Sequence, residues 1–297
     1  MGNVIMAGAN TLPMALNRDI VAKHGHLEMG FEVDGNGRSI LRHLYRRVPI
    51  VVQQALYFDE QLPTLPCVYI LSSGGPYVDG DRYEHHTTLG AGAMAHISTG
   101  AATKVATMSH DHCRLTQTFH LAEGSYLEWL PQPTIPHRGA RLLAHTTITL
   151  HPTAALFYAE SYTCGRLHHG EKFTYDWLNT SLVVGDTEGK ELLREAMYIA
   201  PHTLSPERLG TLGHYRHFGS VIMMAPPDIS RTLYDSLTPH ITPSEAVSVS
   251  LLRDDAGVVV RVLTLSTEVL KERTRSLCSS FRQLVKGCPL PDEFAWR

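Results

Sequence analysis

Arg114-Leu115-Thr116-Gln117-Thr118-Phe119-His120-Leu121 sets Leu115, Gln117 and Phe119 against Thr116, Thr118 and His120. Successive side chains of an extended chain point to opposite faces, so this two-residue period predicts a strand with one buried and one solvated face. Ala144–Leu150 repeats the pattern, with Ile148 and Leu150 on one side. Further out, Leu27–Val33 alternates and runs into Asp34-Gly35-Asn36-Gly37, a hairpin-type turn. Val68–Leu71 leads into the tight loop Ser72–Pro76, and Arg82–Leu89 and Ala93–Thr99 flank Gly90-Ala91-Gly92.

Two helices are expected later in the chain. Pro226-Pro227-Asp228 is a start signal, followed by Ile229, Leu233 and Leu237 at four-residue spacing before Pro239. Near the end, Val247–Leu252 and Val258–Leu265 flank Arg253–Gly257 as a hairpin. Ser266 or Thr267 then caps a helix carrying Val269, Leu270, Leu277, Phe281, Leu284 and Val285, which Gly287 and Pro289 end. The fold class that follows is mainly β, with layered mixed sheets in a β-helix-like or sandwich-like arrangement and two helices toward the C-terminus. Residues 1–25 read as a flexible N-terminal segment and 26–297 as one domain, with 266–297 its C-terminal helix and tail. There is no internal sequence repeat and no low-complexity linker.

Composition narrows the function classes. A net charge of −3 over 297 residues gives no electrostatic case for nucleic acid. The five cysteines, Cys67, Cys113, Cys164, Cys278 and Cys288, are scattered without a CxxC, which argues against a zinc ribbon or a thioredoxin-like redox site. The first ten residues lack a basic stretch ahead of an apolar core, and no eighteen-residue apolar window occurs, so the expectation is a cytoplasmic protein with reduced thiols and no membrane span.

The local catalytic templates fail. Gly90-Ala91-Gly92-Ala93-Met94-Ala95 fits the relaxed dinucleotide fingerprint, but that motif needs a helix after its glycines, and Met94–Thr99 reads as a strand. Gly100–Lys104 lacks the Gly-Lys-Ser/Thr order of a phosphate loop, and neither GxSxG nor HExxH is present. Histidine is the compositional anomaly, at 18 residues with several local pairs. His110, His112 and Cys113 offer imidazole and thiolate donors that suit a borderline metal. Carboxylates inside apolar runs are a sharper signal: Glu160 within Leu156–Thr163 and Glu195 within Leu192–Ile199. Burying an isolated carboxylate costs several kcal/mol, so each must meet solvent, a partner or a water-filled space. On the residues alone, a His-assisted metallohydrolase at 110–113 and a β-type protein-binding module both stay open.

Leu127-Glu128-Trp129-Leu130-Pro131-Gln132 and Gly100-Ala101-Ala102-Thr103-Lys104-Val105 carry no such chemistry, yet with other segments they form an ordered set. The set includes Arg46–Pro49, Gln54–Phe58, Ser73-Gly74-Gly75, Asp79-Gly80-Asp81, Leu89–Gly92, Thr134-Ile135, Gly139-Ala140-Arg141, Cys164-Gly165-Arg166, Gly170-Glu171 and the terminal Trp296. In order and spacing it resembles the UreD (UreH) family of urease accessory proteins over most of the chain beyond residue 27. Two departures are Pro133, where the family often has a carboxylate, and Ala106-Thr107-Met108, where it tends to place an aromatic residue and an arginine.

The resemblance implies a non-enzymatic scaffold or chaperone with no tightly bound cofactor. Its expected partners are UreF, through UreF the GTPase UreG, and apo-urease, into whose metallocentre nickel is inserted. An internal path for transient nickel is implied, with its positions mapping onto Asp81, Thr103, Glu160 and Glu195. A contact with UreF is expected on the C-terminal helix and tail, at Leu277, Phe281, Leu284, Phe294 and Trp296.

Overall fold

Burial alternates with a two-residue period along His24–Val33, Arg82–Leu89, Arg141–Leu150 and Trp177–Asp186, all strands of one sheet of a solenoid. The computed structural model describes residues 22–291. In chain order the first strands are β1 (His24–Val33), β2 (Ser39–Arg47), β3 (Ile50–Val51), β4 (Cys67–Ser72), β5 (Arg82–Leu89) and β6 (Met94–Thr99). There follow β7 (Thr103–Val105), β8 (Cys113–Leu121), β9 (Tyr126–Trp129), β10 (Thr134–Pro136), β11 (Arg141–Leu150) and β12 (Ala155–Thr163). The last group is β13 (Trp177–Asp186), β14 (Glu191–Ile199), β15 (His217–Met224), β16 (His240–Ile241), β17 (Glu245–Leu251) and β18 (Gly257–Thr264). Helix α1 (Pro227–Ser236) precedes β16, and α2 (Thr267–Lys286) follows β18. Among the described residues, no helix is long and apolar enough to cross a membrane.

Strands β5, β8, β11 and β13 lie side by side in parallel in a seven-stranded sheet. Strands β4, β6, β9 and β12 do the same in an eleven-stranded sheet. The chain alternates between the sheets, so each coil of roughly 30 residues adds one strand to each, within the usual range of solenoid repeats. The short β7 and β10 pair in parallel at the corner and form a third strip, with Thr134 opposite Thr103. At the ends the direction reverses: β2 pairs antiparallel with β1, β14 with β13, and β15 with β12. Strand β1 already begins at His24, inside the stretch read as an N-terminal lead-in, and Lys23 is anchored to Asp81.

The layers explain the burial patterns. The seven-stranded sheet has a buried inner face and a solvated outer one, hence Arg82–Leu89 alternates Tyr83, His85, Thr87 and Leu89 inward. The eleven-stranded sheet is covered on both faces, and β12 is buried continuously from Ala155 to Ala159. Leu156 and Tyr158 face the solenoid interior, whereas Ala155, Phe157 and Ala159 face the helices. Helix α1 starts at the two prolines as expected, and α2 is capped by the Ser266 side chain at Val269 N–H and closed by Gly287 in the left-handed conformation. The face of α2 on the sheet is Leu270, Thr274, Leu277, Cys278, Phe281 and Arg282, and each fully buried apolar side chain there contributes about 1.5–3 kcal/mol.

Arg282 is the unexpected member of that face. Its guanidinium is fully buried, paired with Asp59 and 3.5 Å from Glu128. Glu128, also fully buried, accepts from Tyr126 and from His96 Nδ1 at 2.6 Å. His96 and Glu128 are direct partners across β6 and β9. Alternation sends Leu127 and Trp129 into the solenoid and Tyr126 and Glu128 to the helix side. The Leu127–Gln132 segment thus ties the helix layer to the solenoid by a buried charge network.

Two further segments of the ordered set are structural. Gly165 sits at φ 133°, and a Cβ there would lie 2.6 Å from the Glu171 carbonyl oxygen, so glycine is required. The flanking Arg166 grips Glu171 in a two-pronged pair at 2.8 and 2.6 Å. In Asp79-Gly80-Asp81, the first carboxylate accepts from Ser109 N–H at 2.7 Å and Asp111 N–H at 2.9 Å, which fixes the 109–112 loop.

Candidate functional site

Between the inner faces of the two sheets and the corner strip lies a cavity of about 310 Å³. This is far more than the roughly 10–15 Å³ that one water needs, and its walls are polar enough to hold water. The two segments singled out for resemblance supply one wall: Thr103 and Lys104 from the first, Trp129 and Gln132 from the second. They meet because each is a corner of a successive coil, with Thr103 N–H bonded to Pro133 O at 3.1 Å and Gln132 N–H to Thr99 Oγ1 at 2.9 Å.

The four positions implied for an ion path fare differently. Thr103 and Glu160 line the cavity. Glu160 projects from β12 and accepts from Tyr158 OH at 2.5 Å and Tyr162 OH at 3.2 Å. Burial pushes its carboxyl above the ordinary range, and the Glu195 charge adds to that, against the two phenol hydrogen bonds and Arg261. Burial and the nearby Glu160 also push both phenols well above 10, so they stay protonated and keep donating. Glu195 reaches across from β14 to Ser220 Oγ at 3.1 Å and to Arg261 at 2.6 Å, and Ser220 is the strand partner of Glu160. Asp81 lies behind the wall, fully buried. It accepts from Lys23 N–H at 2.9 Å and Val78 N–H at 3.0 Å, and from Tyr83 OH at 3.3 Å, while Tyr83 itself lines the cavity. Its oxygens are occupied by protein donors, and its hydrogen-bonded neighbour on the cavity wall is Tyr83.

Two further interior residues belong to the site and carry no sequence motif. His85 lines the cavity, is 6% exposed, and neither ring nitrogen has a hydrogen-bond partner. Burial, with His86 and His26 nearby, lowers its pKa to about 4, so the imidazole is neutral near pH 7 and its lone pair is available. Opposite it in register stands Gln117, also buried and lining the cavity, whose Nε2 is unpartnered. The signal was present: His85 occupies the same strand face as Tyr83 and Leu89, where a polar side chain needs an explanation.

His110, His112 and Cys113 do not converge. Cys113 points into the core with Sγ against Arg141 O at 3.5 Å, and burial holds its thiol far above the usual range. His112 leans on Trp177 and pairs with Asp111 at 2.7 Å, while His110 is exposed. Among the described residues, the group of three donors close enough for one ion is instead His26, Glu84 and His86. Of the helix positions expected to meet a partner, Leu277 and Phe281 are buried in the chain's own core, and Leu284 is 39% exposed. The tail positions Phe294 and Trp296 lie outside the described residues.

Comparison with known proteins gives one answer. The family model described as UreD urease accessory protein matches residues 23–297. Urease accessory protein UreD 2 of Brucella suis biovar 1 is 36% identical over 288 residues, covering 96% of this chain and 95% of that protein. Urease accessory protein UreD of Yersinia pseudotuberculosis serotype O:1b is 35% identical over 289 residues, covering 96% and 90%. The match begins at Lys23, the residue that Asp81 anchors to the first strand. With a solenoid whose signature segments build one cavity wall and lock the helix layer, the chain belongs to the UreD family of urease accessory proteins.

Proposed function

We propose that this protein is a non-enzymatic scaffold that binds apo-urease together with UreF, and through UreF the GTPase UreG, and passes nickel to the urease metallocentre through its interior. The observation that carries the reading is the cavity in which Thr103, Glu160, His85 and Gln117 present oxygen and nitrogen donors without closing a cage. A relay must attract the ion and let it go. Separated carboxylate, hydroxyl and imidazole groups do both, whereas a closed set of three or four ligands would retain it. Nickel, as cargo, would displace the proton that Glu160 binds more readily than an ordinary carboxylate.

The double variant Glu160→Ala/Glu195→Ala should lower nickel incorporation into urease severalfold in nickel-limited cells. Complex formation should persist, because Glu160 lines the cavity and Glu195 is engaged within the chain by Ser220 and Arg261. Nickel content and urease activity of purified urease, with co-purification of the accessory proteins, measure the two effects separately. Wild-type nickel loading by the double variant would refute the interior route.

A further inference from the structure

The outer face of the seven-stranded sheet gathers donors of a different kind. The parallel register of β1 and β5 sets His26 opposite Glu84 and Glu28 opposite His86. Leu27 and Met29, like Tyr83 and His85, point inward, so these four point out to solvent. His26 Nδ1 lies 3.2 Å from Glu84 Oε2, and the His26 and His86 rings are 5.3 Å apart. One donor atom from each of His26, Glu84 and His86 lies within 4.8 Å of the others. Ligands about 2.0–2.2 Å from one small divalent ion stand about 3–3.5 Å from each other, so the His26–Glu84 spacing is already that of a coordinated pair.

A second observation concerns orientation. His26 Nε2 lies 2.8 Å from Glu28 Oε1, and His43 Nε2 lies 3.1 Å from Glu28 Oε2. With Nε2–H donating to Glu28, the Nδ1 lone pair of His26 is the one on the side of Glu84, where an ion would sit. A carboxylate fixing the far nitrogen of a ligand imidazole is the usual outer support of a bound metal.

We propose that His26, Glu84 and His86 form a surface site for a borderline divalent cation of the zinc, nickel or copper type, with Glu28 as its positioning residue. Two imidazoles and one carboxylate leave at least one coordination position open to solvent. The bound ion would bridge β1 to β5 and stabilise the N-terminal strand by mass action. The site lies on the opposite face of the sheet from the cavity, so it stands independently of the interior route.

The test is a titration of the full chain, without a histidine tag, with Zn²⁺ against a chelating dye, and with Co²⁺ read by its visible absorption. One equivalent should bind with ligand-field bands in the Co²⁺ form. His86→Ala and Glu84→Gln should each weaken binding at least tenfold, and Glu28→Gln should weaken it about tenfold, as loss of an outer support does. His120→Ala, an exposed histidine on the same sheet, and Glu160→Ala should leave this binding unchanged. Equal affinity and stoichiometry in wild type, His86→Ala and Glu84→Gln, or the absence of ligand-field bands, would overturn the site. Unchanged surface binding in Glu160→Ala with reduced nickel delivery separates the two proposals.

Discussion

Arg282→Met is expected to lower the unfolding free energy by about 3–5 kcal/mol, the cost of removing one partner from a buried charge network. Methionine retains most of the volume, so the loss reports charge and not a void. Asp59 and Glu128, both fully buried, would be left without the guanidinium that neutralises them. Urea denaturation followed by circular dichroism measures the effect, and a loss under about 1 kcal/mol would show that Arg282 is not what balances those carboxylates. The same network sets an acid limit. Burial alone would raise the pKa of Glu128, but its hydrogen bond and charge interaction with His96, with Arg282 and Tyr126 behind them, leave it below its ordinary 4.5. A folded-state pKa below the unfolded one means stability that is present above about pH 4.5 and is lost as pH falls through and below it. Glu128→Gln should therefore differ most from wild type near pH 7, and the gap in unfolding free energy should narrow on acidification. A gap that is constant with pH would contradict the assignment.

Ala144→Phe should cut nickel delivery to urease at least tenfold while the fold persists. Ala144 is buried on β11 and lines the cavity, so a phenyl ring there enters the space that the ion is proposed to use. Overpacking a filled core costs about 1–3 kcal/mol, but here the ring has about 310 Å³ beside it, so the stability cost should fall at or below the low end. The matched control is His145→Phe, which places the same ring on the outer face of the same strand and should leave delivery intact. Normal nickel loading by a folded Ala144→Phe protein would mean that the ion does not pass this point.

Much of the architecture was legible because strand alternation is local. Arg82–Leu89 is a strand with the predicted limits. Helix α1 begins at the expected prolines but stops at Ser236, short of Leu237, and α2 begins and ends at the residues that the capping signals indicate. The layered, β-helix-like class was legible, but which strand pairs with which was not. The strands pair with neighbours roughly 30 residues away, through backbone hydrogen bonds that leave no mark on side-chain identity, and the coils share no sequence. Among site positions, Glu160 stood out as a carboxylate in an apolar strand, and the same logic applied to Glu128 in Tyr126–Leu130 would have flagged it. What hid its role was distance: Arg282 and Asp59 close their contact across 223 residues of chain. Leu284 belongs to the apolar series of α2 in the sequence, yet Arg282 occupies the buried face and Leu284 turns outward. An arginine on a helix's core side is invisible to a hydropathy pattern.

A parallel stack of coils has no inherent length, and an uncovered terminal coil would present its backbone to the next molecule as a template for fibre growth. Here all four margins are closed to such growth. The seven-stranded sheet ends in the reversed strands β2, with Arg42, Arg46 and Arg47, and β14, with Glu191, Arg194 and Glu195. The eleven-stranded sheet ends in β3 and β16, each two residues long. Among the described residues, the reversals that finish the fold thus replace a bare parallel edge at each margin with a charged or a two-residue strand.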